Sequence, residues 1–188
     1  MPIRPIVITG NPVLHSKALE VTEFNQELRD LVHDMYETMD EAPGVGLAAP
    51  QVGINLRIFV YDWDKDDGTA QRGVVINPTL EISVTPLGEA DWDTESEGCL
   101  SVPGERFPLK RAEKATLRGV DLDQNPVHIE AEGWFARIFQ HEFDHLNGTL
   151  YVDRLAQPHS SNAKEIIEER GWGKPDLSWL PGQDKLEG

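Results

Sequence analysis

Between residues 25 and 39, apolar side chains recur at Leu28, Leu31, Val32, Met35, Tyr36 and Met39, a spacing that lays them along one stripe of an α-helix. Pro43 closes that helix. A second stretch, with Trp134, Phe135, Ile138 and Phe139 and then Leu146, keeps the same period but is apolar on more of its circumference. That suits a largely buried helix, and Gly148 supplies its stop. A third helix is expected over residues 161–170, ended by Gly171. Runs at 6–9, 57–61, 74–76, 80–84, 115–120 and 127–131 read as strands, bounded by Asn77-Pro78, Pro86, Asp123-Gln124-Asn125 and Gly133. Residues 44–51 read as a Gly-rich loop between helix and strand. Residues 172–182 hold too much Gly and Pro for regular structure, and their tryptophans are expected to pin the tail to the body. No repeat or low-complexity linker interrupts the chain. Helices toward the ends with strands between predict an α+β fold. We expect one compact domain, with antiparallel or mixed sheets packed on the buried helix, residues 1–170 forming its body and 171–188 an irregular tail.

At 188 residues the chain is long enough to bury a core without covalent staples, and its single cysteine, Cys99, excludes an internal disulfide. No apolar run follows Met1-Pro2-Ile3-Arg4 to serve as a signal or membrane span, so a cytoplasmic location without membrane contact is the expectation. The formal net charge of -16 disfavours broad contact with phosphate backbones, which argues against direct nucleic-acid binding. Much of the acid sits in 62–67, 89–97 and 165–169, where solvated loops and a helix face account for it.

Chemistry concentrates in three places. The buried helix carries His141-Glu142-Phe143-Asp144-His145, in which two imidazoles one turn apart can share a cation while Glu142 reaches a water on it. Such a run also arises by chance on surface helices. On a buried helix, though, two histidines beside two carboxylates would leave much polarity unpaired, and a cation relieves that cost. The second place is Glu97-Gly98-Cys99-Leu100-Ser101. A lone Cys is commonly just a small buried hydrophobe, but a thiolate added to two imidazoles gives three protein ligands and one position for water, the pattern of a catalytic site. His15, His33, His128 and His159 stand in stretches with no partner spacing and read as ordinary histidines. The third place, residues 44–51, lacks the Lys-Ser/Thr end of a phosphate loop. Its glycines allow close backbone approach, and the Gln51 amide is a neutral donor for a developing oxyanion. A plain helix-to-strand connection with a surface Gln is the alternative.

Taken in order, Gly44-Val45-Gly46-Leu47-Ala48-Ala49-Pro50-Gln51, Glu97-Gly98-Cys99-Leu100-Ser101 and His141-Glu142-Phe143-Asp144-His145, continued by Leu146-Asn147-Gly148, resemble the three motifs of the peptide deformylases over roughly residues 5–155. The resemblance implies Cys99, His141 and His145 as ligands of one metal ion, Fe²⁺ by nature with Zn²⁺, Ni²⁺ or Co²⁺ as substitutes. It implies Glu142 as acid/base, and Gln51 with the Leu100 N–H as oxyanion donors. The substrate implied is the N-formylmethionyl end of a nascent peptide, laid along Val45, Gly46 and Gly104, with Gly98 and Arg106 near its backbone. The Met pocket involves Glu97, Trp134, Arg137, Ile138 and His141. Arg137 departs from the aliphatic residue frequent there, so either its stem lines the pocket with the charge outward or the pocket mouth is altered. Some members of that family dock on the ribosome through a basic C-terminal helix; Glu165, Glu168 and Glu169 argue against that route here, leaving only transient proximity. Two alternatives remain: a zinc metalloprotease with a different third ligand, and an inactive metal-binding homologue, against which Glu142 and Gln51 speak.

Overall fold

A computed structural model describes residues 3–64 and 70–186 of the chain. Helix α1 (Gln26–Glu41) is opened by Asn25, whose side-chain oxygen accepts from the Leu28 N–H at 3.0 Å, and buries Leu28, Leu31, Val32, Met35 and Met39. Helix α2 (Gly133–Leu146) ends as expected. The Gly148 N–H bonds the His145 carbonyl, Gly148 takes a left-handed φ of 73°, and the Arg57 guanidinium donates to the Leu146 carbonyl at 3.0 Å. Helix α3 spans His159–Glu169, starting two residues before its expected first residue.

Among the described residues, nine strands make three antiparallel sheets: β1 (Ile6–Val7), β2 (Gly46–Ala48), β3 (Ile58–Asp64), β4 (Ala70–Ile82), β5 (Ser96–Cys99), β6 (Val102–Pro108), β7 (Lys114–Val120), β8 (Pro126–Glu132) and β9 (Ser178–Trp179). The main sheet has the order β2-β3-β4-β7-β8, while β5-β6 and β1-β9 are two-stranded. Strand β3 explains why both helices are needed. Ile58 and Val60 join the cluster of α1 side chains, and Phe59 and Tyr61 join Phe135 and Phe139 of α2, so alternate residues bury into opposite layers. Ile76 and Val75 divide the same way on β4. A third cluster, including Val102, Phe107, Leu150 and Tyr151, seats the β5-β6 hairpin beside α3.

Two expectations are corrected. Asn77-Pro78 does not separate two strands: both runs belong to β4, and the irregularity becomes a bulge where the pairing with β7 shifts between Ile76 and Thr79. Asn77 adopts φ 51°, and its side chain exchanges hydrogen bonds with the backbone of Val21, so the residue expected to break the sheet fastens a loop to it. The segment after Gly171 is mainly irregular but does contribute β9, which pairs Trp179 with Ile6.

Candidate active site

Helix α2 sets His141 and His145 one turn apart, and the β5-β6 hairpin brings Cys99 to meet them. His145 Nε2 lies 3.2 Å from His141 Nε2 and 3.4 Å from Cys99 Sγ, and all three donor atoms fall within 4.8 Å of one another. Ligands around a tetrahedral transition metal, with metal distances of about 2.0 Å for nitrogen and 2.3 Å for sulfur, stand about 3.3–3.6 Å apart. This donor set fits a cation. Burial holds His145 well below its usual pKa and hence neutral, the form that ligates.

Behind His141 stands a buried carboxylate. Glu97 accepts from His141 Nδ1 at 3.0 Å, which turns Nε2 toward the cysteine. Its oxygens also receive two bonds from Arg111, at 2.8 and 2.9 Å, and one from Arg137 at 2.8 Å. Burial alone would raise the Glu97 pKa, yet these hydrogen bonds and charges hold it well below the usual carboxylate range. Arg111 then reaches Asp144 at 2.6 Å, and Asp144 is gripped from outside by Arg154. Burial also works against a charged His141, but its bonds to Cys99 and Glu97 outweigh that and raise its pKa.

Glu142 differs from every other carboxylate nearby. It is buried, its Oε2 has no hydrogen-bond partner, and burial pushes its pKa up to about 7. It lies against Gly46 of β2 so closely that a Cβ at that position would sit 2.8 Å from the Glu142 carboxyl carbon. The strand can pass there because residue 46 has no side chain. Gln51, in a 3-10 turn (Ala49–Val52) after β2, has its Oε1 occupied by the Ala48 N–H at 2.9 Å. That fixes the amide's orientation and aims Nε2 at Cys99 Sγ, 3.8 Å away.

These groups open onto a cavity of about 500 Å³. Its wall includes Val45, Gly46 and Gln51 on one side and Glu97, Gly98, Cys99 and Leu100 on the other. Helix α2 contributes Trp134, Arg137, Ile138, His141 and Glu142, and β6 contributes Gly104 and Arg106 at the rim, leaving His145 beneath. Every residue singled out from the sequence thus lies at this cavity or directly below it. Arg137 reaches the cavity, but its charge does not point outward. Its charge turns inward, to Glu97 and to the Leu109 carbonyl at 2.6 Å, while its guanidinium lies 5.1 Å from the Trp134 ring. Arg106 is exposed, runs past Gly98 and donates to the Ser96 carbonyl at 2.9 Å. Sequence reasoning missed Arg111, which sits in a connection without periodicity, and Trp63, which lines the mouth from the end of β3. Asp144 was visible inside the helical motif, but nothing pointed to its two arginine partners.

A model of the polypeptide deformylase family matches residues 3–161. The chain is 53% identical over 186 residues to the peptide deformylase of Rhodococcus opacus, an alignment covering 97% of this chain and 95% of that protein. It is 50% identical over 190 residues to that of Mycolicibacterium paratuberculosis, covering 97% and 96%. Among solved structures, a peptide deformylase from Synechococcus elongatus, in complex with actinonin, superposes with a TM-score of 0.79 at 35% identity, covering 94% of each chain. One from Legionella pneumophila gives 0.76 at 37% identity, covering 90% of this chain and 96% of that one. With the motifs, the fold and these likenesses in agreement, the chain belongs to the polypeptide deformylase family.

Proposed function

We propose that this chain hydrolyses the formyl group from N-formylmethionyl peptides, with Cys99, His141 and His145 holding one divalent transition metal ion. The observation that carries this reading is the meeting of a cysteine sulfur and two imidazoles beside a buried carboxylate with a free oxygen. When bound, the ion supplies positive charge that lowers the pKa of water toward about 7 and polarises the formyl carbonyl. Thiolate and imidazole together suit Fe²⁺, the family's usual ion, as well as Zn²⁺, Ni²⁺ and Co²⁺.

Glu142 Oε2 takes the proton from water as the oxygen attacks the formyl carbon. The Gln51 Nε2–H and the Leu100 backbone N–H hold the oxyanion of the tetrahedral adduct, and Gln51 is suited to this because Ala48 keeps its donor side forward. As the C–N bond breaks, Glu142 returns the proton to the departing α-amine, and formate leaves. One carboxylate serves both transfers, helped by a burial-raised pKa near neutrality.

The peptide is read as an added strand. In the main sheet β2 pairs only with β3, and its other edge, with Val45 just before it, faces the cavity. The methionine side chain enters between Trp134, Ile138 and the stem of Arg137, with Glu97, Gly98 and Gly104 completing the wall and Arg106 beside the peptide backbone. No described helix is long and apolar enough to cross a membrane. A cytoplasmic site of action beside nascent chains follows from the substrate, and α3 presents exposed Glu165, Glu168 and Glu169, which disfavours docking through that helix.

Formate release from formyl-Met-Ala by anaerobically purified protein, with metal analysis on the same sample, tests the proposal. We expect about one ion per chain and turnover that a chelator abolishes. A metal-loaded protein that frees no formate sinks the reading.

A further inference from the structure

We propose that Trp179, beyond the residues matched by the family model, is a positioning residue for the oxyanion donor at Leu100. The proposal rests on the deformylase reading above. Leu100 and Ser101 form the two-residue turn between β5 and β6, closed by the pairing of Cys99 with Val102, where the ladder shifts register. Neither turn residue is a member of the ladder, and their carbonyls are held from outside. The Trp179 indole N–H donates to the Leu100 carbonyl at 2.8 Å, and the Thr9 N–H donates to the Ser101 carbonyl at 2.8 Å.

One anchor belongs to the β1-β9 sheet and the other, Thr9, follows β1 by two residues. Trp179 of β9 stands opposite Ile6 of β1, and neighbouring bonds, from the Ile8 N–H to the Leu177 carbonyl and from the Gly173 N–H to the Thr9 carbonyl, lock the termini together. Trp179 is 3% exposed, so its hydrogen bond forms away from competing water. An oxyanion donor acts only if its N–H is aimed before the charge develops. The Leu100 N–H and the Leu100 carbonyl lie in successive peptide planes that meet at the Leu100 Cα, so a bond that holds the carbonyl narrows the rotation left to the N–H. The C-terminal segment thereby reaches the reacting centre without touching substrate.

The experiment compares Trp179→Phe, which keeps an aromatic ring but removes the donor, with Leu177→Ala, which loosens the same segment and leaves the indole in place. For Trp179→Phe we expect kcat on formyl-Met-Ala to fall about tenfold, a fraction of the loss seen when an oxyanion donor is removed outright. KM and bound metal should stay within twofold, since neither depends on the oxyanion. Leu177→Ala should lower the thermal midpoint while keeping kcat within twofold. Should Trp179→Phe fail to fold, benzothienylalanine at position 179, an isostere without the N–H, gives the same readout. The proposal is overturned if the donor-less protein keeps wild-type kcat, or if Leu177→Ala loses kcat equally. Absence of formate release in the wild-type protein would instead defeat the deformylase reading.

Discussion

Two faces of α2 are buried by opposite means. Toward the main sheet, Phe135, Phe139 and Leu146 pack with Phe59 and Tyr61, and the Phe139 ring lies 5.2 Å from that of Tyr61. Toward the β5-β6 hairpin, Arg137, His141 and Asp144 are nearly as hidden, but each is tied to a partner of opposite charge or to a backbone carbonyl. Apolar burial is non-directional and tolerates rearrangement, whereas a buried charge is costly unless its partner sits in the correct place. The first face holds the helix to the sheet. The second aims one imidazole.

Glu142, at the border of these faces, gives the largest expected effect. Glu142→Ala should lower formate release by about 10³-fold, because it removes the proton carrier. Metal content should be unchanged and thermal stability no lower, since Oε2 has no protein partner to lose. Near-wild-type turnover would refute the role. On the apolar face, Phe139→Ala should cost about 3–5 kcal/mol in denaturant unfolding by leaving a cavity. A cost below 1 kcal/mol would show that this face is loosely packed. On the charged face, Arg111→Met strips Glu97 and Asp144 of a shared cation, with an expected cost of about 3 kcal/mol. Because Glu97 orients His141, metal affinity in a competition titration should also drop about tenfold. Loss of stability without loss of affinity would separate the network from the metal site. The smallest effect is expected for Arg154→Ala. Its side chain is 49% exposed, so solvent screening limits the loss to about 1 kcal/mol or less, despite a two-pronged grip on Asp144.

The same contrast explains what could be read from the sequence. Helices α1 and α2 were legible because their burial follows the helical period, and β3, β7 and β8 because they are apolar or alternating runs between turn signals. Strands β2 and β5 were not, being three and four residues long and glycine-bearing. Strand β6 carries Pro103, Gly104 and Pro108, which read as breakers; it is held by the β5 ladder and by the apolar cluster beneath it. His141, Glu142 and His145 were legible because one helical turn brings them together locally, and Cys99 because it is the chain's single cysteine and stands beside a glycine. The inward charge of Arg137 was not, because its partners Glu97 and Leu109 come from distant segments that only the folded chain assembles.

The bare edge of β2 at Gly46 has a consequence for any inhibitor built against this cavity. A methyl group at residue 46 would press on the Glu142 carboxylate, the proposed proton carrier, so a variant altered there is expected to lose turnover. A ligand that draws its affinity from the backbone at position 46 would therefore touch a spot where escape by mutation disables the enzyme.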